Sequence, residues 1–412
     1  MADTPGATGA AEGTEAVPTG AIYATYGVGF TGNGVAMMLK VIIPLWAIEL
    51  NLSATEIGVA IGLSALLPFL LSIHGGVLMD RLGTRRVTMA YAVTTAVLCP
   101  LYPAFPSFFM LVILQLITGL TSNMVWVGAQ TLIVRFTRGK TALIARFSVA
   151  ARCGTLGGPV AIGVIWDLAG PWGAFGFVGA AGALVLVALF IVPETKEDAP
   201  IRQAVPRLAD LMPKWGDYVA AFSMIAIPTV AFVVAMSALR ISSAGIQTSF
   251  YVVYLKEIGL FGTSIGFLIA TSEVGGLLGA SMAGWWERFI RPHWVFILFA
   301  TISITCVSMT PILGGIFVLL MMATFGRGYA QGLSQPVMFG ILARAVEPSL
   351  QGMSIGLRTT SNRAATVLVP LVMGIVADSV GIEQSFYWTG GVLIASCAIV
   401  ALFVRRIPDF RT

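Results

Sequence analysis

The stretch RFSVAARCGTLGGPVAIGVIWD, residues 146–167, decides the class of this protein. It is mostly apolar and small, as a membrane helix is, yet Arg152 stands inside it with uncharged neighbours on both sides. A helix rises about 1.5 Å per residue, so Arg152 lies roughly 18 Å beyond Lys140, which precedes the span. A charge near the centre of a bilayer is costly, so such a residue indicates a functional site or a structural brace.

The composition of the whole chain agrees with a membrane protein. Of the 412 residues, 57% are hydrophobic and 10% are charged, whereas a soluble domain carries roughly 25% charged residues. The apolar residues form long runs, and runs of about 18 or more with few charges indicate membrane-spanning helices. We therefore predict an all-α membrane protein with twelve transmembrane helices, at residues 21–48, 55–79, 87–106, 108–134, 141–166, 172–193, 225–256, 263–285, 294–312, 314–342, 352–377 and 387–404.

The polar stretches divide the spans into six plus six. The expected units are a disordered cytoplasmic N-terminus (1–20), a first six-helix bundle (21–193), a cytoplasmic linker with room for an amphipathic helix (194–224), a second bundle (225–404) and a cytoplasmic tail (405–412). Most of the 24 Lys and Arg residues lie in alternate loops and the C-terminus, and the opposite loops hold Lys256 alone. The positive-inside rule then predicts a multi-pass protein of the plasma (inner) membrane with both termini in the cytoplasm.

An internal repeat relates the two halves. Five residues of the fifth span match five of the eleventh at one constant offset, and TEIG at 55–58 matches TSIG at 263–266 more weakly. The five pairs are Arg152 with Arg363, Thr155 with Thr366, Pro159 with Pro370, Gly163 with Gly374 and Asp167 with Asp378. Two homologous six-helix halves are the layout of many secondary transporters.

The nucleophilic and metal-ligating residues indicate neither a metal centre nor an enzyme. His74 and His293 are far apart, and no Ser/His, paired-Asp or HExxH constellation falls within a span. The cysteines form no CxxC pair, and all fall inside predicted spans: Cys99, Cys153, Cys306 and Cys397. We expect no metal, no cofactor and no catalytic residue. The loops account for the net charge of +5, so we expect no nucleic-acid partner.

Two motifs carry a family resemblance. The loop GVLMDRLGTRR, residues 76–86, resembles the signature loop G-x-x-x-D-R-x-G-x-R-R of the major facilitator superfamily. Its fixed positions are Gly76, Asp80, Arg81, Gly83, Arg85 and Arg86. The fifth span resembles the glycine-proline motif of the family's antiporters, at Gly154, Gly158, Pro159 and Gly163. The resemblance covers the whole chain and implies two pseudo-symmetric six-helix bundles, alternating access and a monomer.

Each motif has a physical interpretation of its own. The loop around Asp80 can latch onto a neighbouring helix terminus by charge-assisted hydrogen bonds, and the resemblance implies a cytoplasmic gate; a basic loop that only sets topology is the alternative. The small residues and Pro159 let helices approach, kink and slide, or simply pack tightly. The fourth span departs from proton-coupled members, because Gln115 precedes Gly119 where they often carry arginine.

The charges deep in the membrane are mostly positive. The cations are Lys40, Arg152, Arg240, Arg327 and Arg363, and the anion is Glu273. Because uncompensated buried charges are costly, we predict a water-filled cavity in which an anionic substrate supplies the missing charge. Arg152 and Arg363 are expected to clamp it, since guanidinium forks suit carboxylate or phosphate; the alternative is that they brace the helices. Glu273 is either a proton carrier or the partner of one arginine.

These observations together predict a secondary active transporter that moves a small organic anion through a basic central cavity by alternating access. Its expected partners are the small-molecule substrate, the lipid bilayer and a coupling ion such as a proton. Two alternatives stay open. One is a drug or metabolite/proton antiporter that exports its substrate and uses Glu273, and the other is a non-transporting membrane sensor.

Overall fold

The computed structural model describes residues 19–137, 140–193, 222–345 and 351–404, and these are almost entirely helical. The predicted N-terminal segment up to residue 18, the linker from 194 to 221 and the tail 405–412 lie outside the described residues. In chain order the helices are α1 Thr19–Glu49, α2 Ala54–Leu63, α3 Leu66–Leu82, α4 Thr84–Leu98, α5 Leu101–Ala104, α6 Phe108–Thr137, α7 Thr141–Ile191, α8 Pro228–Gln247, α9 Phe250–Glu257, α10 Gly262–Trp286, α11 Pro292–Ser308, α12 Phe317–Ala345, α13 Gln351–Val380 and α14 Ile382–Val404.

The predicted spans fall mainly on helical backbone, and nine helical segments in the described ranges are long and apolar enough to cross a membrane, when α2 with α3, α4 with α5 and α8 with α9 are each counted as one segment. One of these, α7, covers both the fifth and the sixth predicted spans and is interrupted at Gly170, with φ 63° and ψ −165°. Phe147 lies against Gly29 and Ala188 lies against Gly27, so both limbs of α7 reach the same part of α1. The chain therefore reverses direction at Gly170, where glycine tolerates the positive φ.

Three spans that the sequence predicts as continuous are interrupted. Between α2 and α3, the Ser64 hydroxyl donates to the Ile61 carbonyl at 2.6 Å. Between α8 and α9, the Ser249 hydroxyl donates to the Gly245 carbonyl at 2.7 Å. The backbone itself leaves the helical region at Ser249, with φ −124° and ψ −96°. Between α4 and α5 stands Pro100, which lacks the backbone N–H that would continue the helix.

The helices of residues 19–193 (the first half) pack mainly on one another, as do those of residues 222–404 (the second half). Two helix pairs make most of the contacts between the halves, α7 with α10 and α2 with α13. In the first pair, Gly163 lies against the backbone of Gly262, and Gly266 lies against the carbonyl of Pro159. The missing Cβ atoms permit this close approach, because a methyl group there would overlap the opposite backbone.

The second pair repeats the first. Gly58 lies against the Pro370 carbonyl, and Gly374 lies against the backbone of Ala54 and Thr55. Pro370 and Gly374 are the repeat mates of Pro159 and Gly163, and Gly58 is the mate of Gly266. The sequence repeat therefore corresponds to a repeated contact: each half contributes one glycine-proline helix to the other.

Among the described residues, a cluster of apolar side chains joins the two halves at one end. The cluster at the end where α1 finishes includes Trp46 and Phe175 from the first half and Tyr254 and Phe386 from the second. The other buried clusters in the described residues each belong to a single half. We call the end around Trp46 the closed end. The halves are separately packed toward the end where α1 begins.

Candidate functional site

A cavity of about 370 Å³ lies between the halves, next to the closed end. Residues of α1, α2, α3 and α6 line it from the first half, and residues of α8 and α13 line it from the second. Its charged lining residues are Lys40 and Arg363, and the described lining contains no carboxylate. The remaining polar surface consists of amides and hydroxyls, including those of Asn33, Asn123 and Thr366.

The two cations reach the cavity from opposite halves. Lys40 on α1 is exposed, and it is exposed into this space. Arg363 on α13 is half-buried and donates from Nη2 to Oδ1 of Asn123 on α6 at 2.8 Å. This bond crosses between the halves and holds the guanidinium at the cavity wall. Lys40 lies within electrostatic range of both Arg363 and Glu273. The site therefore offers positive charge to a solute in water-accessible space.

One side of α6 supplies four of the uncharged polar side chains in the lining. Gln115, Thr118, Ser122 and Asn123 all line the cavity. The buried Tyr102 hydroxyl lies 2.7 Å from Thr118 Oγ1 and donates to Gln115 Oε1 at 3.1 Å. These contacts orient the side chains of Gln115 and Thr118. Sequence reasoning noted Gln115 only as a departure from a motif and missed the others. The available signal was their spacing of three to four residues within an apolar span.

Arg152 does not join its repeat mate. It is exposed and is not among the residues that line the cavity, so the predicted clamp of Arg152 and Arg363 is not formed in this structure. The two repeat mates differ in their contacts. Asn123 holds Arg363 at the cavity wall. The contacts of α7 with α10 are nearer the closed end than Arg152 is.

The register of α7 and α10 nevertheless pairs Arg152 with another predicted residue. Gly163 lies opposite Gly262 and Pro159 opposite Gly266, so four residues back along α7 correspond to four residues forward along α10. Seven further residues, about two helical turns, lead to Arg152 on one helix and to Glu273 on the other. Continuation of this register therefore predicts that positions 152 and 273 lie at the same level on the two helices.

Two predicted substrate ligands lie away from the cavity. Arg240 on α8 and Arg327 on α12 are each only 5% exposed, and neither is a lining residue. Arg327 donates from Nη2 to Ser272 Oγ at 2.5 Å, and Glu273 is within its electrostatic range. Arg240 Nη1 donates at 2.9 Å to the Gln331 side-chain oxygen when that amide is oriented to suit both groups. The deep cations therefore do not form one group: Lys40 and Arg363 line the cavity, Arg240 and Arg327 are buried elsewhere, and Arg152 is apart from both pairs.

The loop between α3 and α4 turns at Gly83, whose φ is 91°. Arg85 follows and donates from Nε to the Leu189 carbonyl at 2.8 Å and from Nη2 to the Phe190 carbonyl at 3.4 Å. Both acceptors belong to the last turn of α7, where carbonyls lack helical partners. Arg86 is exposed and Gly76 is in α3, whereas the side chains of Asp80 and Arg81 lie outside the described part of the structure. The gate stays a prediction.

The glycine-proline motif of α7 faces two neighbours. A Cβ on Gly154 would overlap the Phe30 carbonyl, and one on Gly158 would meet the Gly34 carbonyl at 2.9 Å, both on α1. Pro159 and Gly163 instead face α10. The motif therefore brings α7 into contact with α1 of its own half and with α10 of the other half. This arrangement is compatible with the predicted hinge and with tight packing alone.

Two aspartates that sequence reasoning singled out only as repeat mates cap helices of the opposite half. Asp167 accepts from the backbone N–H of Gly262 at 2.8 Å and of Thr263 at 2.7 Å, at the start of α10. Asp378 accepts from the N–H groups of Ala54 and Thr55 at the start of α2, both at 2.9 Å. A carboxylate at a helix N-terminus satisfies free N–H groups and favours the helix dipole.

Replacing either aspartate by alanine is expected to loosen the closed end. Loss of an N-cap acceptor costs about 0.5–2 kcal/mol, so Asp167→Ala and Asp378→Ala should each lower the melting temperature of the purified protein by a few degrees. Thermal unfolding in detergent measures this, with Asp→Asn as the variant that keeps one acceptor oxygen. Melting temperatures that do not change in either alanine variant would show that the caps are dispensable.

Comparisons with known proteins give one family and several similar folds. A family model described as Major Facilitator Superfamily matches residues 25–262 and 232–411. Quinolone resistance protein NorA of Staphylococcus aureus is 22% identical over 378 residues, which cover 90% of this chain and 92% of NorA. The nucleoside transporter NupG has a similar structure, with a TM-score of 0.75 and 12% identity over 92% of this chain and 98% of NupG. A POT family transporter in complex with 5-aminolevulinic acid gives a TM-score of 0.71 and 14% identity, over 94% and 96%.

Proposed function

We propose, from the premise that this chain belongs to the Major Facilitator Superfamily, that it is a secondary active transporter whose substrate is a small organic anion. The observation that carries the proposal is the charge of the cavity. Lys40 and Arg363 line it, and no described lining residue is a carboxylate. Ammonium and guanidinium groups are the usual protein partners of carboxylate and phosphate, so a solute that carries either group would be attracted to this site.

The size and polarity of the site narrow the substrate class. A volume of about 370 Å³ suits a small metabolite, toward the lower end of the range for ligand pockets. The amides of Gln115 and Asn123 and the neighbouring hydroxyls can each donate or accept hydrogen bonds. Trp126 offers an aromatic surface in the same lining. We therefore expect an anion that carries further polar groups, rather than a purely apolar acid.

A drug or metabolite/proton antiporter is the second candidate, and two observations favour it. NorA, which is similar over nine-tenths of this chain, is named for quinolone resistance. Glu273 is half-buried on α10 and lies within electrostatic range of Lys40 in the cavity wall. Binding of a proton at Glu273 would then change the charge felt at the site. In this alternative the protein exports its substrate against proton entry.

The arrangement of the halves supports alternating access. We propose that residues 21–193 and 225–404 form two six-helix bundles with twelve crossings, both termini in the cytoplasm of a plasma-membrane monomer. The closed end then faces outward, because α1 begins at the cytoplasmic side and ends at the closed end. In this proposal the protein is closed to the outside, and the Asp167 and Asp378 caps and the cluster around Trp46 form the barrier.

Arg152 and Glu273 are the proposed contact of the opposite state. In the present structure α7 and α10 are in contact near Gly163. Arg152 lies farther from the closed end and is exposed. Rocking of the halves that closes the cytoplasmic end would bring the lower parts of α7 and α10 together at the register already set by the glycines. Arg152 would then meet Glu273 and form an ion pair that breaks again when the protein opens inward.

A binding screen tests the proposed substrate class. Purified protein in detergent is heated with mono- and dicarboxylates, aromatic acids and sugar phosphates, and in parallel with lipophilic cations. A ligand at 100 times its dissociation constant stabilises a fold by about 2.7 kcal/mol, which is a measurable rise in melting temperature. We expect at least one anion class to stabilise the wild type but not Arg363→Gln. Stabilisation by cations alone, lost in Glu273→Gln, would favour the antiporter instead.

A further inference from the structure

The packing of α1 on α6 gives a common scale for the depth of residues that line the cavity. The two helices run in opposite directions, because α1 ends and α6 begins at the closed end. Gly32 on α1 packs against Cγ1 of Val125 on α6. Asn123, two residues before Val125, therefore lies at about the level of Gly34, two residues after Gly32.

The two cations of the cavity stand at different levels on this scale. Arg363 donates to Asn123, so its guanidinium group lies near the level of Gly34. Lys40 is six residues beyond Gly34 on α1, which places its backbone roughly 9 Å nearer the closed end. The two side chains remain within electrostatic range of each other and repel. The cavity thus presents two separate positive groups, one from each half.

The carboxylates of the described residues do not balance these cations. Arg363 bonds the neutral amide of Asn123. Glu273 lies within electrostatic range of both Lys40 and Arg327, and one carboxylate can neutralise only one of them. Three cations against one carboxylate leave an excess of two positive charges. Because uncompensated charges inside a protein are costly, a solute with two negative charges suits this cavity better than one with a single charge.

The lining between the two cations is small and uncharged. Gly119 and Ser122 lie on α6 between the levels of Asn123 and Lys40, and Thr366 lies one turn nearer the closed end than Arg363. The hydroxyls of Ser122 and Thr366 each donate to the carbonyl four residues earlier, at 2.6 Å and 2.9 Å. They therefore present acceptor oxygens to the cavity, which suit an uncharged carbon chain and disfavour a further acidic group.

We propose that the substrate is a short dicarboxylate that bridges the two halves, with one carboxylate on Lys40 and the other on Arg363. This inference rests on the proposed function as an anion transporter and assigns a separate acidic group to each cation. Two charge-assisted hydrogen bonds of about 2.8 Å cover part of the distance between the two levels, and a short carbon chain fills the rest. A phosphate monoester carries both charges on one group and is therefore a poorer match.

The test compares two ligands of nearly equal size that differ by one charge. Succinate has two carboxylates, and succinamate has an amide in place of one of them. Titration calorimetry of the purified wild type in detergent should show that succinate binds about a hundredfold more tightly, as expected for one additional charge pair. In Lys40→Gln and in Arg363→Gln only one cation remains, so the two ligands should bind almost equally. This ratio of affinities is a readout that a general loss of stability does not change.

Further variants and ligands locate the effect. Arg152→Gln removes an exposed arginine that does not line the cavity, and it should keep the full preference for succinate. Lys40→Met is made beside Lys40→Gln in case one of the two does not fold. Malonate, which is shorter, should bind more weakly than succinate or glutarate, because it is too short to reach both cations.

The possible failures of this inference and of the proposed function are distinct. Equal binding of succinate and succinamate by the wild type, with both lost in Arg363→Gln, would overturn the bridging dicarboxylate and leave anion transport in place. A preference for succinate that survives in Lys40→Gln, or binding of methyl phosphate as tight as that of succinate, would overturn it as well. Binding of lipophilic cations alone, with no response to any acid, would instead overturn the proposed function itself.

Discussion

Arg363→Gln is expected to lower the affinity for the anionic substrate about a hundredfold. Loss of one partner of a desolvated charge pair costs about 2–5 kcal/mol, and each 1.4 kcal/mol is tenfold in the dissociation constant. Glutamine keeps a side chain that can still bond Asn123, so the contact between the halves need not be lost with the charge. The variant therefore removes the guanidinium group while leaving the cavity wall largely intact.

The matched control is the repeat mate. Arg152→Gln removes the equivalent charge in the first half, but Arg152 is exposed and does not line the cavity, so the dissociation constant should stay within about twofold of wild type. Equilibrium binding of the stabilising anion from the screen measures both variants. Equal loss of affinity in Arg152→Gln and Arg363→Gln would contradict this structure-based view and favour a symmetric clamp. Arg363→Lys should fall between, because an ammonium keeps the charge without the fork.

The general features of the fold follow from the sequence because they rest on strong, repeated signals. Long apolar runs have few alternatives to helices in a membrane, since every backbone polar group must be satisfied within the segment. The repeat at Pro159 and Pro370 also predicted equivalent helices, and the structure gives them equivalent contacts with α10 and α2. The interruptions at Ser64 and Ser249 were less accessible, because serine and threonine hydroxyls bond backbone carbonyls in the same way inside continuous helices, as Thr118 does in α6.

The grouping of the charges could not be predicted, because it depends on rotation and register between helices distant in sequence. Arg152 and Arg363 are identical residues at equivalent repeat positions, yet Asn123 on α6 holds only Arg363 at the cavity. Likewise, Arg240 and Arg327 lie within predicted spans as Lys40 does, but they are buried and do not line the cavity. The position of a residue along its helix can be counted from the sequence. The direction in which its side chain points depends on how neighbouring helices pack, which the sequence does not reveal.

Exchanging the charges of Arg152 and Glu273 is expected to restore transport that either single reversal abolishes. Arg152→Glu leaves two carboxylates on facing helices, and Glu273→Arg leaves two guanidinium groups. Like charges brought together cost several kcal/mol, so closure of the cytoplasmic end, and with it transport, should slow by more than about a hundredfold, at tenfold per 1.36 kcal/mol. The double variant Arg152→Glu/Glu273→Arg recreates the pair in reverse. Its transport rate in proteoliposomes should recover by at least about tenfold over both singles.

The exchange also separates the two roles that the sequence left open for Glu273. A proton carrier must remain a carboxylate at its own position, so an antiporter that depends on Glu273 would stay inactive in the double variant. A state-dependent ion pair needs only opposite charges at the two positions. Cysteines at 152 and 273, in a Cys153→Ser background, give an independent readout, because a disulfide requires Cα atoms within about 7 Å. We expect the cross-link to form only when the cytoplasmic end closes, and to trap the protein in that state. Rapid cross-linking in the inward-open state would mean that the two helices already meet at this level. The proposed switch would then be wrong.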